Sequence, residues 1–196
     1  PFIVTLAMMN IGRGFARIYT KATTILVDDP LFTFIGSGKI LGGVPIQFVY
    51  MLVVIVISGL ILNRTKFGRN IYAVGDNKQA ASYSGINSRR VTMTVFVIMG
   101  IFASCAGILS SARTFSAQFN VGEGSEMDAI SAVVLGGTSM SGGVGRLSGT
   151  IIGCIVIGVL NNGMNILGID SSWQYVVKGV VVLIAVFIDY IKKMKD

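Results

Sequence analysis

The sequence predicts an all-α membrane protein, a polytopic bundle of about six transmembrane segments. Its mean hydropathy is +0.75. Charged residues make up 13% of the chain, whereas soluble domains carry about 25%. Several apolar stretches are long enough to cross a hydrocarbon core of about 30 Å. The polar stretches between them are too short to bury a core of their own, so we expect one transmembrane domain over residues 1–196.

The predicted segments follow one another with short polar connections. They comprise residues 1–20, 44–62, 91–112, 128–140, 147–169 and 173–188. Between the first two segments we expect an outer loop with a short helix near residues 31–35. Residues 128–140 are short for a full crossing, and they form either a tilted short helix or half of a broken one.

The charges predict which ends of the segments face the cytoplasm. Cations gather in two places, the loop 63–90 and the C-terminal tail with Lys192, Lys193 and Lys195. Lysine and arginine beside membrane segments mark the cytoplasmic side and contact anionic lipid. The loop and the tail share one side if four crossings separate them. If residues 128–140 entered the membrane and returned on the same side, three crossings would separate the loop from the tail. The tail would then lie outside, which contradicts the rule that cations mark the cytoplasmic side. No module or aromatic-basic face for nucleic acid is present.

The loop 63–90 contains a pattern that predicts a short helix with defined ends. Asp76 or Asn77 is a suitable N-cap, KQAASYS follows as the helix, and Gly85 is a natural terminator. Gly75 permits a sharp turn before the cap. A helix this short is unstable alone, so we expect it to dock against the membrane domain or a partner. Small side chains form the surface expected to dock: Ala80, Ala81 and Ser84.

Three glycines four residues apart open the segment 147–169, namely Gly145, Gly149 and Gly153. Small residues at this spacing let a second helix backbone approach closely. We expect this groove to serve packing within the protein, and the alternative is an interface between subunits.

Polar side chains inside apolar segments are candidates for a solute pathway. Asn161, Asn162 and Asn165 lie in one segment, where amides need hydrogen-bond partners. They either bond neighbouring helices or line a path for a hydroxyl-rich solute, since amides both donate and accept. Near the outer end of the segment 91–112, other polar residues extend this path: Ser110, Ser111 and Gln118. Lys178, in the last segment, either snorkels to the interface or acts in the membrane, and the sequence shows no obvious partner for it.

Several kinds of chemistry lack their usual residues here. The chain has no histidine, and its two cysteines, Cys105 and Cys154, lie in apolar stretches without metal-ligand neighbours. We therefore expect neither a metal site nor catalytic residues. The glycine-rich stretches 36–40 and 143–149 depart from the nucleotide-binding patterns, so no cofactor is expected in this chain. A secondary carrier usually needs intramembrane carboxylates. The only acid that we place within an apolar stretch is Asp189, at its very end beside the basic tail, which argues against a carrier.

Two long motifs resemble the membrane permeases of bacterial sugar ABC importers, the ribose/xylose/galactoside-type family. GRNIYAVGDNKQAASYSGIN, residues 68–87, is similar to that family's cytoplasmic coupling loop. DAISAVVLGGTSMSGGVGRLSGTIIG and the following VLNNGMNILGI are similar to its second hallmark stretch. The similarity runs from the first residues to the basic tail. Such permeases have further helices upstream, so the resemblance implies a C-terminal portion.

The resemblance implies a homodimeric permease that imports a ribose-like monosaccharide across the bacterial cytoplasmic membrane. ATP and Mg²⁺ would belong to a separate ATPase inside, and a sugar-binding protein would deliver the solute outside. Relatives of similar design import nucleosides, a signalling furanosyl compound or amino acids. The implied ATPase-coupling residues are Gly75, Asp76, Asn77, Lys78, Gln79, Ala80, Ala81, Ser84 and Gly85.

Overall fold

The computed structural model describes residues 2–40 and 43–195, and helices make up most of them. The helices are α1 (Phe2–Tyr19), α2 (Pro30–Ser37), α3 (Ile46–Arg64), α4 (Lys66–Asp76), α5 (Lys78–Tyr83), α6 (Ser88–Arg113), α7 (Ser125–Leu135), α8 (Leu147–Ile166) and α9 (Ser171–Lys195). The strands are β1 (Ile25–Leu26), β2 (Lys39–Ile40), β3 (Val44–Pro45) and β4 (Ser116–Ala117). β1 pairs antiparallel with β4, and β2 with β3.

Three helices of the described chain, α3, α6 and α8, are long and apolar enough to cross a membrane. They correspond to the predicted segments 44–62, 91–112 and 147–169. The apolar part of α9, Ser171–Phe187, is shorter and matches the last predicted segment. The prediction of a helical membrane protein is confirmed.

The chain divides into two compact units, and the first holds the residues up to Val54 and Phe96–Glu123. In this unit α2, the short helix expected in the outer loop, begins at Asp29, whose carboxylate accepts hydrogen bonds from two backbone N–H groups. Gly36 of α2 lies directly against the backbone of Ala112, which is fully buried. Gln47 Nε2 donates to the Gly36 carbonyl at 2.6 Å. These contacts hold α2 against α6 and the start of α3.

The second unit holds Ile55–Val95 and the chain from Gly124 onward, and its centre is α7 packed against α8 and α9. Gly136 at the end of α7 lies against Gly149 near the start of α8, and Ala132 lies against Gly153. α7 and α8 are therefore antiparallel. Small residues at these points allow the two backbones to touch.

α7 contains 11 residues, a length of about 16 Å, so it is too short to cross the hydrocarbon core alone. It ends because Gly137 adopts φ +83°. The Gly137 N–H then bonds the Val134 carbonyl at 2.9 Å and the Thr138 N–H bonds the Val133 carbonyl at 3.2 Å. This arrangement satisfies carbonyls that a helix end leaves free. Of the predicted segment 128–140, the residues after Leu135 are thus not helical.

The connection between α7 and α8 lies on the same side as the basic segment that contains α4. The Tyr72 hydroxyl donates to the Gly145 carbonyl at 3.1 Å, and Gly75 lies against Gly143. α9 runs parallel to α7, because Tyr175 lies beside Gly124 and, further along both segments, Lys178 contacts Asp128. The C-terminal end of α9 therefore extends toward the side of α4, as the charge distribution predicts.

An ion pair joins α7 to α9. Lys178 Nζ lies 2.9 Å from Asp128 Oδ1 and donates a hydrogen bond to Oδ2 at 3.0 Å. The two side chains are 18% and 28% exposed, for lysine and aspartate respectively. Asp128 is thus the partner of Lys178 that the sequence did not reveal. Two partly buried charges hold together helices distant in sequence, and losing one leaves the other uncompensated.

We expect Gly153→Ala to destabilise the purified protein and Gly158→Ala to leave its stability unchanged or raised. A Cβ at Gly153 would collide with the backbone of Ala132, whereas Gly158 has open space around it. Overpacking costs about 1–3 kcal/mol, and alanine is favoured over glycine in helices by up to about 1 kcal/mol. Unfolding in mixed detergent–SDS micelles measures both variants, and equal stabilities would contradict the contact.

We also expect non-additive effects at the ion pair. Lys178→Met leaves the Asp128 carboxylate without its cation, and Asp128→Asn leaves the ammonium without its anion, so each single variant should unfold more readily. The double variant should be more stable than the sum of the two losses, by about 0.5–3 kcal/mol for residues in direct contact. Strict additivity in the same unfolding assay would show that the pair contributes nothing.

Candidate functional site

The segment α4–α5 forms the polar face of the second unit. α4 begins at Thr65, whose hydroxyl oxygen accepts from the Gly68 N–H at 3.1 Å. Gly75 was expected in a sharp turn, and this is wrong, because α4 continues through Asp76. A side chain at Gly75 would place its Cβ 2.8 Å from the Gly143 backbone nitrogen. The glycine is therefore needed for close approach to another backbone rather than for a turn.

α5 has the ends that its sequence predicts. Asn77 is extended, and its Oδ1 accepts from the N–H groups of Gln79 and Ala80, both at 3.0 Å. Gly85 follows the helix with φ +79°, and the Ile86 N–H bonds back to Ala81. These caps satisfy the free backbone groups of a helix of six residues, which would not persist by itself.

The face that α5 presents differs from the expected one. Ala81 is buried, with 4% of its surface exposed, whereas Ala80 and Ser84 are exposed; the three therefore do not share one exposed surface, and their docking stays a prediction. Tyr83 is 92% exposed. Gln79, four residues earlier, is also exposed and lies on the same side of the helix. The presented face therefore carries an aromatic ring beside polar side chains. The spacing of so short a helix could not show which side is buried.

The other residues predicted for coupling surround this face. Asp76, Asn77, Lys78 and Ser84 are exposed, as is Gly85. The Ser84 hydroxyl donates to the Ala80 carbonyl at 3.1 Å. Together with Gln79 and Tyr83, these exposed residues make up what we call the α5 face.

A second group of polar residues lies where α7, α8 and α9 meet. Asn161 Nδ2 donates to Asp128 Oδ2 at 3.0 Å, the oxygen that also accepts from Lys178. Asn161 Oδ1 is buried and has no hydrogen-bond partner among the described residues. We call Asp128, Asn161 and Lys178 the polar cluster. Its formal charge is zero, because the carboxylate and the ammonium cancel.

The other two asparagines of α8 behave differently. Asn165 Oδ1 accepts from Gln174 Nε2 at 2.9 Å, which joins α8 to α9, and Gln174 also bonds the Ile169 carbonyl. Asn162 is exposed. Of the glycines predicted to open the helix, Gly149 and Gly153 lie in α8 against α7, but Gly145 precedes it, because α8 begins after Arg146.

The sequence did not identify Asp128 as an intramembrane acid. It stands beside Glu123 and Glu126, and this acidic group predicted an outer loop. The structure places Asp128 in the first turn of α7, bonded to α8 and α9. Asp189 is therefore not the sole acid within the apolar segments. Because a secondary carrier needs intramembrane carboxylates, the number of such acids argues less strongly against a carrier.

Ser110, Ser111 and Gln118 belong to the first unit, whereas the asparagines belong to the second. Ser110 and Gln118 are exposed and Ser111 is partly buried. Gln118 Nε2 lies 3.4 Å from Ser116 Oγ. Their share in a solute path stays a prediction.

Residues 1–186 match the family model of the branched-chain amino acid transport system / permease component. The ribose import permease protein RbsC of Bacillus subtilis (strain 168) is 47% identical over 96% of this chain and 59% of its own length. RbsC of Escherichia coli (strain K12) is 45% identical over 96% and 60%, and that organism's L-arabinose transport system permease protein AraH is 38% identical over 97% and 58%.

The chain thus spans about three fifths of the length of the curated relatives it matches. No solved structure matches it. The family model covers nearly all of the chain, including both units and the α4–α5 segment. This chain therefore belongs to the permease family of branched-chain amino acid transport systems and is similar to its ribose and arabinose permeases.

Proposed function

We propose that this chain is part of the permease subunit of an ATP-driven importer that moves a ribose-like monosaccharide across the bacterial cytoplasmic membrane. The observation that carries this proposal is the 47% identity to a ribose import permease over 96% of the chain. The apolar helices α3, α6 and α8 support the membrane location. The neutral polar cluster supports an uncharged, hydroxyl-bearing solute.

The proposed partners follow from the same function. ATP and Mg²⁺ bind to a separate ATPase on the cytoplasmic side, and this chain supplies translocation only. A sugar-binding protein delivers the solute on the outer side, and a second permease copy completes the pathway. The α5 face is the proposed contact with the ATPase. Its exposed Tyr83 supports this role, because aromatic residues are enriched among the residues that dominate binding energy at protein interfaces.

A short series of contacts connects the α5 face to the membrane helices. α5 follows α4 directly, with Asn77 as both the end of one helix and the cap of the next. α4 contacts the α7–α8 connection through backbone at Gly75 and through the Tyr72 hydroxyl. At Gly75 the two backbones lie directly against each other, so no flexible side chain absorbs a displacement there. A movement of α5 imposed by the ATPase would thus reach α7 and α8.

The family description favours a second candidate, import of a branched-chain amino acid. An amino acid carries two charged groups, so its site would need separated cationic and anionic partners. In the polar cluster these charges already bind each other. Nucleosides, a signalling furanosyl compound and a self-sufficient carrier are the remaining alternatives.

Uptake by the permease reconstituted with its ATPase and binding protein separates these candidates. We expect ATP-dependent accumulation of labelled D-ribose and no accumulation of labelled leucine. Ribose uptake without the ATPase would indicate a carrier. Leucine uptake alone would replace the sugar proposal with the amino acid one.

We expect Tyr83→Ala to weaken ATPase association at least tenfold while membrane insertion stays normal. Removal of a central aromatic from an interface costs about 2 kcal/mol or more, and about 1.4 kcal/mol corresponds to tenfold. Tyr19→Ala is the matched control, because Tyr19 is 86% exposed and lies at the end of α1. Titration of the ATPase onto permease in nanodiscs measures the affinity. Ala81 is unsuitable for this test, since substitution of a buried alanine disturbs packing.

Equal affinities for the Tyr83→Ala and Tyr19→Ala permeases would remove the α5 face from the ATPase contact. Ala80→Glu gives an independent check, because Ala80 is exposed and a new carboxylate would have to be desolvated in an interface.

A further inference from the structure

We infer that the polar cluster is a hydroxyl-binding station on the solute path, where Asn161 Oδ1 and the Asp128–Lys178 pair bind neighbouring hydroxyl groups of the sugar. This inference rests on the proposed function and assigns residues to it.

The orientation of the Asn161 amide follows from its surroundings. Asp128 carries only acceptor oxygens when ionised, so the amide must turn its nitrogen toward the carboxylate, and Nδ2 bonds Oδ2 at 3.0 Å. Asn161 Oδ1 consequently points away from the carboxylate, and it is buried without a partner among the described residues. A buried carbonyl oxygen left without a donor is costly. A bound hydroxyl group would supply that donor.

The ammonium group of Lys178 also has hydrogen-bond donors beyond those that contact Asp128. Lys178 Nζ lies 2.9 Å from Asp128 Oδ1, but that approach lacks hydrogen-bond geometry, and Oδ1 has no hydrogen-bond partner in the described chain. The ammonium group therefore contacts both oxygens of the carboxylate. An ammonium group has three N–H donors, and one is used at Oδ2. The cluster therefore offers one acceptor without a partner in the described chain, Asn161 Oδ1, and at least one N–H donor on Lys178.

This combination matches a pair of adjacent hydroxyl groups. Each hydroxyl donates one hydrogen bond and accepts others, so one donates to Asn161 Oδ1 while its neighbour accepts from the remaining N–H of Lys178. The charges of the pair cancel, so the station does not select for an ion. Both charged side chains are partly exposed, 18% and 28%, whereas Asn161 Oδ1 is buried, so a hydroxyl reaches this oxygen only when the three helices separate locally.

The depth of the cluster agrees with a place on the path. Asn161 lies five residues before the end of α8, about 7 Å along the helix axis. Lys178 lies seven residues into α9. Both positions are inside the helices rather than in the connection between them. Ionisable side chains within membrane helices are candidates for functional sites, and a substrate path is one such role.

A purely structural cluster is the competing explanation, and substrate analogues distinguish the two. Uptake by the reconstituted importer is measured for D-ribose and for its 2-deoxy, 3-deoxy and 5-deoxy analogues, in wild type and in Asn161→Ala. If Asn161 binds one hydroxyl, the variant should lower kcat/KM for D-ribose about 5- to 10-fold, the effect of one lost hydrogen bond. For the analogue lacking that hydroxyl, the variant should cause little or no loss.

Selection among sugars by the binding protein does not affect the ratio of these two losses, because wild type and variant are measured with the same binding protein. Thr150→Val is the matched control in α8, since its hydroxyl already bonds the Arg146 carbonyl, and it should affect all four sugars equally. Loss by the same factor for every sugar in Asn161→Ala would overturn the hydroxyl station and leave the importer intact. Absence of ATP-dependent ribose uptake in wild type would instead overturn the proposed function.

Should Asn161→Ala fail to assemble, Asn161→Asp keeps the size of the side chain and tests the same atom. It replaces the amide donor toward Asp128 and adds a second carboxylate oxygen at the station. The analogue dependence must then change relative to wild type, and an unchanged dependence would equally overturn the inference.

Discussion

Direct contact between backbones determines how the second unit is arranged. Glycine or alanine stands at each crossing: Gly75 against Gly143, Gly136 against Gly149, and Ala132 against Gly153. Lipid offers no hydrophobic gain for bringing two apolar helices together, so close packing supplies much of the attraction. A side chain at any of these points would separate the backbones. The antiparallel arrangement of α7 and α8 and the position of α4 depend on this constraint.

The short length of α7 follows from the same arrangement and produces the polar cluster. A helix that ended inside lipid would expose unsatisfied carbonyls, but α7 ends at Leu135, and the turn at Gly137 bonds its last carbonyls. Its first turn brings Asp128 to α8 and α9. There the carboxylate finds an ammonium and an amide, and these partners make a charge in this position tolerable.

The sequence predicted those features that depend on residues close in the chain. The membrane segments, the short helix α2, the Asn77 cap and the glycine after α5 are examples, because apolar length and backbone conformation are local properties. The buried side of α5 and the role of Gly75 were not predictable in this way. Each depends on which distant backbone lies nearby. Asp128 was misplaced because its neighbours in sequence are acidic, although the partners it bonds are an amide and an ammonium group.

The unequal state of two amides in one helix connects packing with transport. Asn165 and Asn161 are one turn apart in α8 and have the same chemistry, yet Gln174 satisfies the first while the second keeps a buried oxygen without a partner in the described chain. Packing alone explains Asn165, whose bond joins two helices. It does not explain an amide whose nitrogen is held by a carboxylate and whose oxygen is left over. Under the proposed importer function, a displacement that starts at α5 would pass through α4 to the connection between α7 and α8. If it changed the distance between Asp128 and Lys178, it would alter the affinity of the polar cluster for a hydroxyl group. Under the same proposal, such a change would let the protein bind a solute from one side and release it on the other.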